Sequence, residues 1–270
     1  MKTKTCHGSH SRGLLGGPAP TKLPGSTRSG STEALVATIP SRARVLSFAN
    51  LPPDTLAASL AASHEQAAWA AAASHGRLAR ARALLGDEAV RTRRSATLDL
   101  VEGLARGQAS EALAAAAAVV ALADDVAAAS KARQARELAE LDETYGSGRG
   151  TGAMRKRLET RHRRELRRAR FDAIREALAD LLGAYRDMAL LRAGGPRDRL
   201  VHSDRAVTFE RLAAAADPAA AVRAAAALEE ADRRLAIGAA PLLTLEAAFL
   251  SVQAAFAGPR VPMGRLEIRR

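Results

Sequence analysis

Residues 154–192 read MRKRLETRHRRELRRARFDAIREALADLLGAYRDMALLR and contain no proline. In the second half of this stretch, large apolar residues recur at intervals of three and four, which is the spacing of one face of a helix. They are Phe171, Ile174, Leu178, Leu181, Tyr185 and Met188. The pattern predicts one long helix whose second half lies in the core of a helical bundle. At about 1.5 Å per residue it would be roughly 60 Å long, so we expect it to bend or to project from the bundle.

The first half of the same stretch is dominated by cations. Nine lysines and arginines stand against two glutamates between Arg155 and Arg170, a local charge of +7 in a chain of net charge +12. Because side chains of successive helical residues point around the whole cylinder, some of these cations must face solvent or a partner. Two interpretations remain open: a solvated helix, or non-specific contact with DNA or an acidic protein surface. Contact would involve Arg163, Arg164, Arg167 and Arg168.

Composition predicts a mainly α protein. The chain has 270 residues, of which 47% are hydrophobic and only 3% aromatic. Most of the apolar residues are alanine, a strong helix former whose small side chain lets helices pack closely. The pI near 11.0 first suggests an acidic partner such as nucleic acid. However, 36 of the 41 basic residues are arginine, which GC-rich coding would also produce.

The N-terminal region gives little evidence for export, for a membrane span or for a metal site. A single cysteine, Cys6, cannot form a disulfide framework, so we expect a reducing compartment and a cytoplasmic location. We expect no segment to cross a membrane and no signal peptide at the start of the chain. Residues 1–30 are predicted to be a disordered leader. Within it, Cys6, His7 and His10 lack a fourth ligand, so no metal site is expected.

Two short β-capable segments, 33–39 and 45–48, precede a series of predicted helices. Three short helices are expected at about 54–62, 65–73 and 77–85, with Trp69 as a packing anchor. A basic turn at 91–94, a helix at 97–104, a long helix at 110–144 and a glycine-rich hairpin at 146–152 lead to the long basic helix. Further helices are expected at 207–215, 218–236 and 242–256. We expect Leu228, Leu235, Leu242, Leu245 and Phe249 to pack near the apolar seam of the long helix.

No catalytic or cofactor motif is visible in the sequence. The chain has no Gly-x-x-x-x-Gly-Lys-Ser/Thr sequence, so we expect it neither to bind nor to hydrolyse ATP by itself. Hydrolase motifs such as His-Glu-x-x-His are also missing. His64, His75, His162 and His202 fall at polar or helix-end positions and are not at ligand spacing. No catalytic residue, metal or cofactor is therefore assigned.

Several segments together resemble one known family. They are EALVATIPSRAR at 33–44, GRLARARAL at 76–84, KARQAREL at 131–138, Tyr145-Gly146, AYRD at 184–187 and LVHSDR at 200–205. Over about residues 31–258 the chain resembles the delta-prime subunit family of the bacterial DNA polymerase III clamp loader, as found in high-GC lineages. Members of that family carry an AAA+ domain, a small helical lid and a collar helix bundle that joins five related subunits in a ring.

The resemblance implies a domain organisation with most of the AAA+ domain missing. It gives a leader at 1–30, a remnant of the AAA+ domain at 31–51, a three-helix lid at 52–94, a collar bundle at 95–258 and a flexible tail at 259–270. Within Ser41-Arg42-Ala43, where the family has Ser-Arg-Cys, Arg42 corresponds to an arginine finger that reaches a neighbour's ATP. Arg77 corresponds to a nucleotide-sensing arginine, although a structural role is the alternative. The zinc-binding cysteines of many relatives are not present.

Two functions are therefore weighed. The resemblance implies a non-catalytic clamp-loader subunit that serves DNA replication by collar helix packing with the other clamp-loader subunits, with Arg42 as its one site residue. The alternative is an autonomous basic helical protein that binds nucleic acid through the long helix.

Overall fold

The computed structural model describes residues 50–146 and 149–257, which belong to one compact unit. Within these residues nine α-helices and two short 3-10 turns occur and no strand is found, so the prediction of a mainly α protein is confirmed. The predicted leader, the β-capable segments, Cys6, His7, His10, Arg42 and the tail at 259–270 lie outside the described residues.

Three short helices come first, close to their predicted positions: α1 (Pro53–Ala58), α2 (His64–Ala73) and α3 (Leu78–Gly86). They share a small core of their own, formed by Leu60, Ala67, Ala70, Ala73, Ala81 and Leu84. Trp69 packs against this core, as predicted. We call α1–α3 the three-helix unit.

Helix α4 (Glu88–Arg106) corrects the sequence analysis. The predicted basic turn at 91–94 is wrong, because these residues are helical. The Asp87 side chain caps the helix, accepting hydrogen bonds from the backbone N–H of Ala89 at 2.9 Å and of Val90 at 3.3 Å. The predicted boundary between residues 94 and 95 falls inside this helix.

Helices α5 (Ala109–Tyr145) and α6 (Arg149–Arg192) form a long antiparallel pair. The prediction of one uninterrupted basic helix is confirmed by α6, which begins five residues earlier than expected. Ion pairs from α6 reach successively earlier residues of α5, from Asp142 to Glu137 and then to Asp124. We call residues 131–146 and 149–170 the arm; beyond it, α6 enters the core.

Helices α7 (Ala206–Ala215), α8 (Ala220–Ala236) and α9 (Pro241–Phe256) complete the bundle around the second half of α6. The predicted seam is confirmed: Ile174, Leu178, Leu181, Tyr185 and Met188 are buried, and Phe171 packs against them partly exposed. Leu228, Leu235, Leu245 and Phe249 are also buried, as predicted. The prediction that Leu242 packs in the core is wrong. This residue is 41% exposed, because it lies in the first turn of α9 at the edge of the buried face.

Helix α5 is more apolar than the sequence analysis expected. It contains an 18-residue window of mean hydropathy 1.8, long and apolar enough to cross a membrane by length and composition, a criterion that a core helix of a bundle can also meet. The expectation that no segment crosses a membrane stays a prediction. One face of the helix packs in the bundle core through Ala112, Ala115, Ala116, Val119 and Ala123. Only 33% of the window is buried, so much of its apolar surface is exposed.

Candidate functional site

A buried group of polar side chains joins the three-helix unit to the bundle. Asp180 on α6 is 2% exposed and accepts hydrogen bonds from Nη2 of Arg80 on α3, at 2.6 Å to Oδ1 and 2.5 Å to Oδ2. His75 Nε2 lies 3.3 Å from Asp180 Oδ1. Burial disfavours the charged carboxylate, but the His75 hydrogen bond and the Arg80 charge outweigh it and hold the pKa of Asp180 below its ordinary value.

A second ion pair, between Arg94 and Asp204, also contributes to the contact between the three-helix unit and the bundle. Arg94 on α4 is buried and donates to both carboxylate oxygens of Asp204, at 2.8 Å each. Its guanidinium also lies over the Trp69 ring at 5.4 Å from the centroid. The Trp69 Nε1–H donates to Asp204 Oδ1 at 3.4 Å. Arg94 therefore connects α4 to the turn after α6 and to the three-helix unit.

His202 links the two ion pairs and is wholly buried. Its Nδ1 lies 2.8 Å from Arg94 Nη2, and its Nε2 lies 2.9 Å from the backbone oxygen of Asp180. Since a guanidinium has only donors, Nδ1 must accept and Nε2 must carry the proton. Burial and the Arg94 charge lower the pKa of His202 to about 4, so the ring is neutral at pH 7.

The backbone around His202 is fixed from α6. Asp187, also buried, accepts hydrogen bonds from the backbone N–H of Val201 at 3.1 Å and of His202 at 2.8 Å. Gly183 on α6 leaves room for the ring, since a Cβ there would lie 2.7 Å from His202 Nε2. We call Arg80, Arg94, Asp180, His202 and Asp204 the polar joint.

The polar joint is suited to holding helices together. Its acids accept from arginine, histidine and tryptophan donors, and both nitrogens of His202 have partners. Among the residues that the structure describes, no group of three or more His, Cys, Asp or Glu side chains could hold a metal ion. The joint therefore provides ion pairs and hydrogen bonds between side chains of different helices.

The polar joint was not predicted from the sequence. His202 was assigned to a polar or helix-end position; it does precede the 3-10 turn Ser203–Arg205, but its burial was not predicted. One sequence signal was available: Asp180 and Asp187 stand seven residues apart within the apolar half of α6, which places them on one side of the helix. Because acids are rarely buried without partners, two such residues in a core helix indicate buried cations or backbone donors nearby.

The arm is the second candidate site, and its cations fall into two groups. Arg155, Arg161 and Arg170 pair with acids of α5, namely Asp142, Glu137 and Asp124. The pairs with Asp142 and Asp124 measure 2.5 Å. His162 is buried between the two helices, and its Nε2 lies 2.8 Å from Glu137 Oε2. These side chains attach α6 to α5.

The other cations form no ion pair with α5 among the described residues. Lys156, Arg157, Arg163, Arg164 and Arg167 are exposed, and none has an acidic oxygen within 4.0 Å among the described residues. Arg168, also exposed, lies 3.5 Å from Asp172 of its own helix. The four arginines named from the sequence, at 163, 164, 167 and 168, thus lie together on the outer side of the arm. We call Lys156 and these four the outer basic face.

Arg77, the nucleotide-sensing candidate, immediately precedes α3. Its side chain is 45% exposed, and its Nη2 lies 3.5 Å from Glu176 Oε1. It lines an open groove of about 470 Å³ together with Asn50, His75 and Arg175. The structure brings Arg77 near the polar joint and not near the outer basic face.

Comparison with known proteins gives no relative: no family model matches the chain, and no curated protein or solved structure matches it.

The buried His202 predicts that the protein loses stability as the pH falls from about 6.5 to about 4. In this range the unfolded histidine, at its ordinary pKa of 6.5, binds a proton that the folded ring, at about 4, does not. A difference of this size is worth about 3 kcal/mol of unfolding free energy at the acid end. The pKa values of Asp180 and Asp204 are lowered in the folded protein, so these two carboxylates reduce its stability only at pH values below this range. Burial raises the pKa of Asp187, so protonation of this carboxyl favours the folded protein as the pH falls and opposes the effect of His202.

Urea unfolding at a series of pH values measures this dependence. His202→Gln, which keeps a donor and an acceptor but does not titrate, is expected to be less stable and to lose most of the slope between pH 6.5 and 4. A His202→Gln slope equal to that of the unsubstituted protein would show that other groups cause the pH dependence.

Proposed function

We propose that this chain is a non-catalytic clamp-loader subunit of the delta-prime type, which contributes to loading of the sliding clamp in DNA replication by helix packing with the other subunits. In this proposal α1–α3 correspond to the AAA+ lid, and the helices from α4 to α9 correspond to the collar. The proposed place of action is the cytoplasm. The chain would supply contacts between subunits, whereas ATP binding would belong to its neighbours.

One observation carries the proposal: three segments that resemble the family, although far apart in sequence, contribute either residues of the polar joint or Asp187, which fixes the backbone beside it. Arg80 comes from the segment at 76–84, Asp187 from that at 184–187, and His202 and Asp204 from that at 200–205. Between these segments, the Asp187 carboxylate of one accepts from the backbone N–H of Val201 and His202 in another. Arg80 and Asp204 pair with Asp180 and Arg94, which lie outside the resembling segments. The resemblance therefore includes one partner of each of the two ion pairs in the polar joint, which join the three-helix unit and α4 to the rest of the bundle.

The exposed side of α9 supports the assembly part of the proposal. Leu243, Ala247, Leu250 and Ala254 follow one another at intervals of four, three and four, and all are exposed. Leu243 is 67% exposed and Leu250 38%. The opposite side of α9 packs in the core through Leu245, Phe249 and Val252. A helix that is apolar on both sides is suited to packing in two directions, here onto the bundle and onto a helix of a neighbouring subunit.

Helix α5 presents a second apolar surface of the same kind. Leu113, Ala114, Ala117 and Ala121 are exposed, with Leu113 at 43%. Small side chains let the backbones of two helices approach closely, which suits a collar of tightly packed helices. We propose helices of the other clamp-loader subunits as the occupants of the α5 and α9 surfaces. A free monomer would leave this apolar area in water, at a cost of about 25 cal/mol per Å².

Co-expression with the other clamp-loader subunits from the same genome tests the proposal. We expect this chain to co-purify with them, and Leu243→Glu with Leu250→Glu to remove it from the complex, because two carboxylates would be buried without partners at the contact. Val207→Glu is the matched control, since Val207 is 76% exposed on α7. Failure of the unsubstituted chain to associate, or equal loss with Val207→Glu, would count against it.

A further inference from the structure

The outer basic face of the arm is not explained by packing in the core, because all five of its side chains belong to exposed residues. The arginines at 155, 161 and 170 already attach α6 to α5 by ion pairs. Pairs between exposed residues of one helix contribute only about 0.2–0.5 kcal/mol, and within the described residues only Arg168 on this face has one. Folding of the arm therefore leaves Lys156, Arg163, Arg164 and Arg167 available for a partner.

These cations form an elongated surface. Arg163, Arg164, Arg167 and Arg168 line one shallow groove of about 500 Å³ with Thr160 and Phe171. From Lys156 to Arg167 the helix rises by about 16 Å. Duplex DNA carries one negative charge for about every 1.7 Å of its axis, so a surface of this length spans several phosphates. An acidic patch on a protein would have to provide a similar row of carboxylates to match it.

We propose that the outer basic face binds the phosphate backbone of duplex DNA without sequence preference. Arginine and lysine are the side chains that neutralise phosphates, and release of the condensed counterions provides the driving force. Arg163, Arg164 and Arg167 are exposed and have no acidic partner among the described residues to fix their guanidinium planes, so they are not preorganised for bidentate contact with a base edge. The proposal is independent of clamp-loader membership and would also apply to a chain that acts alone.

Salt-dependent binding tests the proposal directly. The full chain is titrated against a short fluorescent duplex of mixed sequence at several salt concentrations, and the slope of log affinity against log salt is measured. We expect a linear decrease, with about 0.9 in slope for each phosphate neutralised. The triple variant Arg163→Gln, Arg164→Gln, Arg167→Gln should lose about 0.9 in slope for each contact removed.

A matched control removes the same charge elsewhere. Arg211, Arg233 and Arg234 are exposed and paired with Glu102 or Glu230, so changing these three to Gln lowers the net charge equally. This control should keep the original slope. An unchanged slope in the outer triple variant, or equal slopes in the two variants, would overturn the proposal. Tighter binding to polyglutamate than to the duplex would also overturn it, and would indicate an acidic protein partner instead.

Discussion

Replacing Asp180 by alanine is expected to lower the free energy of unfolding by about 3–5 kcal/mol, because it leaves the buried Arg80 guanidinium without its carboxylate. Arg80 Nη2 donates to both oxygens of Asp180, and two further nitrogens of Arg80, Nε and Nη1, are buried without a hydrogen-bond partner. The next carboxylate, that of Glu176, lies 3.9 Å from Arg80 Nη1, beyond hydrogen-bonding distance. The measurement is the urea unfolding curve followed by circular dichroism.

Two controls separate the loss of a buried pair from a general loss of packing. Removing both charges in Arg80→Met with Asp180→Leu should give a protein more stable than Asp180→Ala, since no unpaired charge remains in the joint. Glu230→Ala breaks exposed pairs with Arg233 and Arg234 and should have little effect. An Asp180→Ala midpoint equal to that of Glu230→Ala would mean that the joint does not hold the helices together.

The second large effect is expected for Leu178→Ala, which should cost about 2–5 kcal/mol. Leu178 is 2% exposed in the middle of the α6 seam. Because the surrounding core is rich in alanine, few large neighbouring side chains can move to fill the cavity. Leu243→Ala is the matched control, since it removes the same atoms from a residue that is 67% exposed. Unchanged denaturation midpoints in Leu178→Ala would place this residue on the surface and contradict the bundle.

The helices could be predicted from the sequence because their signals are local. The seam of α6 follows from a spacing of three and four residues, and its burial is confirmed from Ile174 to Met188. The helix at 88–106 was predicted to be shorter, at 97–104, because residues 91–94 were interpreted as a basic turn that connects two helices. Arg94 is buried by a pair with Asp204, 110 residues away, and no local pattern indicates such a partner.

The difference between local signals and long-range contacts also explains which parts of the two candidate sites could be predicted. The exposure of Arg163, Arg164, Arg167 and Arg168 follows from charge density, since a helix cannot bury so many cations. Which cations are paired could not be predicted, because it depends on the register of α6 against α5, where Glu137 and Asp124 face Arg161 and Arg170. The polar joint depends on contacts between residues 100 or more positions apart, such as Arg80 with Asp180.

The mass of the reconstituted assembly tests the central proposal most directly. The purified chain is mixed with the other purified clamp-loader subunits, and the product is measured by light scattering on a sizing column. The proposal predicts a complex that contains one copy of this chain, and its loss when Leu243 and Leu250 are both replaced by glutamate. Elution of the unsubstituted chain at its own mass of 28.3 kDa, separate from the other subunits, would contradict it.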